Sequence, residues 1–567
     1  MEEKKKCGTT AYRRKWFLPI LFSLAFALCM TFGRCLDRDG SVPFTHYGLW
    51  VCVLLLTAGG TFLTRLAWNL LGKVTEEREK KTAETASDSC DGKAEVTGKT
   101  FLLTALILFL CYLPVFLAVY PGFFVYDAQD ELMQVVTRNF STHHPLVHVL
   151  MLGGIIQLVH KVSGSYNLGI ACYTLFQMMV LSCIFAYGIC HLRKEGMGKR
   201  KGILMALYLG LFPTIVMFVL CSAKDGLFTG MLFLLVLMIR KLVRDPKDFF
   251  EKKRYVPLLA GSCLSMMLLR HNGFYAFLVF AVLFIALHKV TGLTGYLKKT
   301  AVIFLGILAA YLLLNKGLAA ALQAQAPEHQ EMLTVPIQQM ARVYAMEGDT
   351  LSEEEKNTLT EILPEKALSR YTPKVSDPVK IDFNNEAYEK NPGKYRKLWV
   401  QIGMKHPFAY LNAWFMTSYG LWYPDTVIDV YRGNTVFTFT YGDSSYFGYE
   451  VEQPGERQSL IPFLDGFYRW LSLDPTIQKI PVIRWLFSPG ALFWVILFFL
   501  SYFCYSGQRK KAVPYLIAQL TWLTVILGPT YLVRYVVFLW VLLPLLLGDL
   551  KSGASRLNLK ENTAFDN

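Results

Sequence analysis

The sequence predicts an all-α polytopic membrane protein with about twelve transmembrane helices, and three observations carry that prediction. Apolar residues make up 53% of the 567 residues and charged residues only 18%. Several apolar runs reach the roughly 18 residues that a membrane-spanning helix requires. The net charge of +15 is concentrated in short segments between those runs, which is the positive-inside pattern of a membrane protein and not a nucleic-acid footprint. No nucleic-acid partner is expected. The twelve cysteines lie mostly inside apolar runs, and only Cys35 and Cys221 are placed to reach an oxidising exterior, so no disulfide framework is predicted.

Loop charge orders the elements. Lys4, Lys5, Lys6, Arg13, Arg14 and Lys15 hold the N-terminus in the cytoplasm. Trp16–Phe32 goes out as an uncleaved anchor and Tyr47–Leu71 returns, so residues 1–72 form a helix pair. Residues 73–100 are charged and read as a flexible cytoplasmic loop. The membrane core is 101–315, in which Phe101–Tyr120 delivers an acidic loop, 121–145, to the outer face. Pro145–Val159 reads as an interfacial helix, because counting it as a span would expose Arg193, Lys194, Lys199, Arg200 and Lys201 outside. Leu168–Cys190, Gly202–Leu220, Leu227–Ile239, Val256–Leu269, Phe274–Leu287 and Ala301–Leu314 then alternate in agreement with the basic loops. One large outer domain, 316–484, follows, with Phe408–Tyr423 as a second surface-lying helix. Trp485–Tyr505, Ala512–Leu527 and Tyr535–Leu547 complete the spans within 485–549, and 550–567 is a cytoplasmic tail. Both termini are expected in the cytoplasm.

The chemistry-bearing residues gather at outer helix ends. In Tyr120-Pro-Gly-Phe-Phe-Val-Tyr-Asp-Ala-Gln-Asp-Glu131, helical spacing puts Asp127, Asp130, Glu131 and Gln134 on one face. His143 and His144 follow before Pro145. Three short outer connections each hold one cation: Lys224 beside Asp225, Arg270 beside His271 and Asn272, and Arg534. A carboxylate base facing several cations suits transfer of a group from a phosphate-linked donor. The cations stabilise the departing phosphate oxygens while the carboxylate takes a proton from the incoming hydroxyl. Asp127, Asp130 and His143 are also a possible ligand set for a divalent cation, the one cofactor the residues suggest.

The order of spanning helix, outer Tyr-Asp-x-x-Asp-Glu loop, His-His-Pro, interfacial helix and span resembles the first outer loop of GT-C membrane glycosyltransferases. The resemblance implies a polyprenyl-phosphate sugar as donor and a lipid environment as partner, with the family's catalytic aspartate falling on Asp127 and Asp130 as second choice. Glu131, His143, His144, Lys224, Asp225, Arg270, His271, Asn272 and Arg534 would then bind substrate. More narrowly, Tyr120-Pro-Gly, Tyr126-Asp127, His143-His144-Pro145, Lys224-Asp225, Arg270-His271-Asn272-Gly273 and Ser376-Asp377-Pro378-Val379-Lys380 resemble an uncharacterised bacterial multi-pass family, which implies a bacterial plasma-membrane location. The chain departs from the commonest glycosyltransferase pattern: Ala128, not an acid, follows Asp127, and the outer domain precedes the last spans.

Each residue also has a plainer reading. Asp127 can serve as a helix N-cap, His143 and His144 as the start of the interfacial helix, Arg270 and Arg534 as snorkelling anchors, and Lys224 with Asp225 as a local ion pair. The stripe of Trp414, Tyr419, Trp422 and Tyr423 reads as packing or an interface belt before a sugar platform. Three function classes follow: a glycosyltransferase with a lipid-linked donor, an envelope polysaccharide polymerase or ligase, and, last, a transporter or flippase. A transporter would place ionisable residues at mid-membrane.

Overall fold

The computed structural model describes residues 2–86, 96–430 and 451–551. Among these residues there is no strand, only isolated bridges between loops, and the chain is a set of packed helices. Eight helices are long and apolar enough to cross a membrane. A ninth candidate is the pair α7 (Lys199–Leu211) and α8 (Pro213–Leu220), bent by 58° at the break. Pro213 has no N–H to continue the hydrogen-bond ladder, which is why the helix breaks there. Three shorter apolar helices, Tyr255–Leu269, His271–Ala286 and Pro489–Tyr505, accompany them.

The first helices are α1 (Glu2–Asp39) and α2 (Tyr47–Ala86). Charge composition predicted a loop from Lys73, but α2 stays helical to Ala86, since Thr75–Ala86 is rich in helix-forming Glu and Lys and contains neither Gly nor Pro. Residues 87–95 and 552–567, the remainder of that loop and most of the tail, lie outside the described residues. The expected Ala512–Leu527 span is not one long helix. A 3₁₀ turn, Val513–Tyr515, leads into the ten-residue helix Leu516–Val525. It still connects two ends of the bundle: the Tyr515 hydroxyl donates to Asp549 at 2.8 Å and Thr524 accepts from Asn272 at 3.1 Å.

Helix α3 (Gly98–Ala118) packs antiparallel on α6 (Tyr166–Lys194). Helix α5 (Leu146–Ser163) is apolar enough to span but does not run beside α6 to its far end. It starts where His148 meets Tyr173 at 2.8 Å, and its left-handed cap Gly164 leads at once into Tyr166. That advances only about 10 Å along α6, against about 27 Å of α5's own length. Both ends of α5 therefore sit at the end of the bundle that carries the acidic loop.

Helix α9 (Asp225–Arg244) is the most enclosed, with 89% of its apolar window buried. It is clamped to the C-terminal helix Phe538–Lys551 and the turn before it by two ion pairs of opposite polarity. Arg534 Nε donates to Asp225 Oδ2 at 2.8 Å at one end. Fifteen residues further along each segment, Arg240 Nε donates to Asp549 Oδ1 at 2.7 Å. Equal spacing makes the two segments parallel and in register.

A second apolar cluster, from Ile337 to Tyr410, gives part of the expected outer domain its own core. Residues beyond it, including Met416, Tyr419, Trp422, Tyr423 and Tyr468, join the main core instead. The aromatic stripe is packing: Tyr419 is 1% exposed and meets Tyr531 edge to face, and Trp414 donates to the Ile526 carbonyl at 2.8 Å.

Candidate functional site

The acidic loop is anchored before it presents any charge. Gly122 has φ +117°, and a Cβ there would lie 2.4 Å from Thr174 Oγ1, so only glycine fits. Phe123 then pairs with the end of α8, taking the Leu220 carbonyl and giving its own carbonyl to the Ser222 N–H, both at 3.0 Å. Tyr126 adopts φ +63°, a conformation costly for an aromatic residue, with the Arg534 guanidinium 4.2 Å above its ring. This turn aims Asp127 away from the helix it precedes, α4 (Ala128–Thr137).

Asp127 occupies the N-cap position of α4 and makes no side-chain cap hydrogen bond. Its Oδ2 instead accepts from Lys224 Nζ at 2.5 Å and Arg534 Nη2 at 2.8 Å, while Oδ1 has only Arg534 Nη1 at 3.4 Å. The carboxylate is 28% exposed, and Oδ1 is the more weakly held of its two oxygens. Burial acts to raise this carboxyl, but Arg534 and Lys224 outweigh it and hold it well below the usual carboxylate range.

Glu131 is fully buried and accepts from Lys224 at 3.1 Å and from His148. Behind it runs a polar chain. His148 Nε2 bonds the Tyr173 hydroxyl at 2.8 Å, Tyr173 donates to Gln177 at 3.3 Å, and Gln177 donates to the Val219 and Cys221 carbonyls at 2.9 and 2.7 Å. Those carbonyls are left without helix partners where α8 ends. Despite its burial, Glu131 is held down to about 2 by His148 and Lys224. Glu131 therefore supports Lys224 and has no surface for substrate.

Asp130 turns outward and is exposed, so the predicted shared face is split: Glu131 points in and Asp130 points out. Helix α4 begins only at Ala128, and the buried stripe Ala128, Glu131 and Leu132 sets its orientation. His143 is exposed and lies against His144 with ring centroids 4.5 Å apart. His144 is buried, and its Nδ1 accepts from Lys224 at 3.3 Å. Burial and Lys224 lower it to about 4, so it is neutral at physiological pH.

The cations converge as the sequence suggested. Lys224 and Arg534 are 8% and 6% exposed, and Asp225 beneath them bonds both Arg534 and Arg270. Burial pulls the Lys224 ammonium down, but Asp127 and Glu131 raise it above its ordinary value. Arg270 lies 5.0 Å over the Tyr535 ring. His271 and Asn272 brace the site, bonding the Thr142 carbonyl and Thr524 at 3.1 Å each.

Beside them opens a cavity of about 240 Å³, lined by Lys224, Arg270, His143, Asn272, Pro529 and Tyr535 among others. The motif containing Ser376 reaches its rim: Ser376 N–H donates to the Pro529 carbonyl at 3.1 Å, and Val375 bridges Thr530.

The metal-ligand set that forms is Asp127, Glu131 and His144, whose donor atoms lie within 4.8 Å of one another; Asp130 and His143 are not in it. Lys224 Nζ already lies 2.5–3.3 Å from atoms of all three. The donor set fits a cation, and the chain's own ammonium takes that place.

Sequence reading missed Glu452. It is 6% exposed, one carboxylate oxygen is buried without a hydrogen-bond partner, and its N–H donates to the Phe124 carbonyl at 2.9 Å. Burial, then the charges of Asp127 and Asp130, raise it to about 9. It sits in an irregular Glu-Gln-Pro-Gly segment with no pattern that points to Asp127.

Helices, spans and a buried charged site at one end define an all-α, multi-pass membrane protein. A family model described as a family of unknown function, DUF6020, matches residues 135–549, well over half the chain, and the chain belongs to that family. The matched stretch includes Lys224, Arg270 and Arg534 and begins after Asp127. No curated protein and no solved structure matches.

Proposed function

We propose that this protein transfers a sugar from a polyprenyl-phosphate-linked donor to a hydroxyl of a cell-envelope acceptor, on the outer face of a bacterial plasma membrane, with both termini cytoplasmic. One observation carries the reading: Lys224 bonds the Asp127 carboxylate and also lines the cavity that Arg270 enters. A phosphate in that cavity meets two cations and stands one side chain away from a carboxylate.

In this reading the donor phosphate takes charge-assisted hydrogen bonds from Lys224 and Arg270. Drawing Lys224 toward phosphate loosens its hold on Asp127 and returns basicity to the weakly held Oδ1. Asp127 accepts the proton of the acceptor hydroxyl as that oxygen bonds to the anomeric carbon. The anomeric carbon–oxygen bond to phosphate breaks, and polyprenyl phosphate leaves with the electron pair, its charge met by the cations. Transport is the weaker reading. Between Asp225 and Arg240, α9 has no ionisable residue at mid-length.

The test is sugar transfer from a radiolabelled polyprenyl-phosphate donor by purified protein in lipid. Transfer by the wild type and none by Asp127→Asn supports the reading. Wild-type activity in both Asp127→Asn and Asp130→Asn overturns it.

A further inference from the structure

The bundle has a second charged cavity at the end opposite Asp127. Helix α9 carries Asp225 in the first site and Arg240 and Arg244 in the second, a separation of roughly 22–29 Å along the helix, comparable to the hydrocarbon thickness of a bilayer. The cavity has a volume of about 490 Å³, and its lining includes Lys201, Arg240, Arg244, Leu204, Pro544 and Leu547.

Two irregular helices open it. On one wall, α7 leads into its 58° break with α8. On the other, Pro544 lacks the N–H that would bond the Trp540 carbonyl. Tyr208, from α7, donates its hydroxyl to that carbonyl at 3.2 Å, so the freed acceptor is satisfied from across the cavity.

The charges do not cancel. Glu195 is engaged by Arg240, by Arg244 at 3.0 Å and by His191 at 3.4 Å. Asp549 is taken by Arg240 and by the Tyr515 hydroxyl at 2.8 Å. Arg240 is 6% exposed and fixed between the two acids. Arg244 is 46% exposed with a single acid partner, and Lys201 is exposed with no acidic partner among the described residues. Next to these cations the wall is apolar and faces outward, with Leu204 65% and Leu547 40% exposed. A cationic recess continuous with exposed leucines matches an amphiphile with an anionic head.

We propose that this cavity binds the phosphate headgroup of an anionic membrane lipid, with Lys201 and Arg244 on the phosphate and the acyl chain along Leu204 and Leu547. The site is independent of the transfer reaction proposed above, and binding is read without any activity assay.

Detergent-purified full-length protein is titrated with phosphatidylglycerol, phosphatidylcholine or glycerol 3-phosphate, with binding read by native mass spectrometry and thermal unfolding. Phosphatidylglycerol is expected to bind and to raise the unfolding temperature, phosphatidylcholine and glycerol 3-phosphate to do neither. Lys201→Ala with Arg244→Ala should weaken phosphatidylglycerol by roughly tenfold or more, while Lys390→Ala, in the helix Asn385–Lys390 away from this cavity, leaves it unchanged. Leu547→Trp, which fills the acyl track and keeps every charge, should weaken it as well. Equal binding of the two lipids, or wild-type binding by both the double variant and Leu547→Trp, overturns the proposal. Equal stabilisation by glycerol 3-phosphate assigns the cavity to a soluble phosphate ester and overturns the lipid.

Discussion

Lys224 Nζ stands 2.5 Å from Asp127 Oδ2 across 97 residues of sequence, and this contact organises the site. The ammonium also bonds Glu131 and His144, so one side chain ties two carboxylates together and, with burial, keeps the histidine neutral.

Asp127→Asn is expected to fold, because the side chain caps no helix, and to lower transfer by about 10²–10⁴ with donor binding retained. Asp130→Asn, at an exposed position, is expected to stay within a few-fold of wild type. Parallel transfer and donor-binding measurements decide it. A dead Asp130→Asn beside an active Asp127→Asn moves the base by one turn.

Lys224→Ala removes the ammonium and leaves Asp127, Glu131 and His144 facing one another, a set with metal-ligand spacing. The variant is expected to lose about 3–5 kcal/mol of stability, the usual consequence of stranding buried charge. Added Mn²⁺ or Zn²⁺ should then raise its unfolding temperature, while the same ions and chelators leave wild type unchanged. Thermal unfolding with and without metal gives the answer.

Glu452 gives a pH signature. Its folded value of about 9 lies above its ordinary 4.5, so the folded state keeps a proton that the unfolded state releases. Its contribution is fully present below pH 4.5 and is lost as pH rises toward about 9. Glu452→Gln removes this dependence. Unfolding temperatures measured from pH 5 to 9 should fall more steeply for wild type than for the variant.

The far ion pair is structural. Arg240 and Asp549 are 6% and 3% exposed, and Arg240→Ala strands the acid, for an expected loss of about 3–5 kcal/mol. Arg240→Gln combined with Asp549→Asn keeps hydrogen bonding without charge and should lose less than the two single variants together. Chemical unfolding of wild type, the two single variants and the double variant tests the coupling.

Orientation is open to labelling. An impermeant thiol reagent added to intact cells should modify His143→Cys, and should modify Met197→Cys only after the membrane is opened. The measurement is made in a background with reactive native cysteines removed.

Composition and loop charge alone determined that the chain is a multi-pass all-α protein, because burying some twenty apolar residues in lipid fixes a helix whatever its neighbours are. The same reading picked out Asp127, Lys224, Arg270 and Arg534, since charges at the ends of apolar runs stand out in one dimension. Their convergence was an expectation that only tertiary structure turned into distances. Which side of α4 faces inward was decided by packing: periodicity set Asp130 beside Glu131, yet the helix starts at Ala128 and buries Glu131 against His148. The roles of His148, Tyr173 and Gln177 were hidden inside helices that read as uniformly apolar. Glu452 was invisible for a related reason, because nothing local distinguishes a loop glutamate in water from one enclosed beside Asp127. Helix formation is written in near-neighbour sequence, whereas burial and charge pairing belong to surfaces that meet only when distant segments pack.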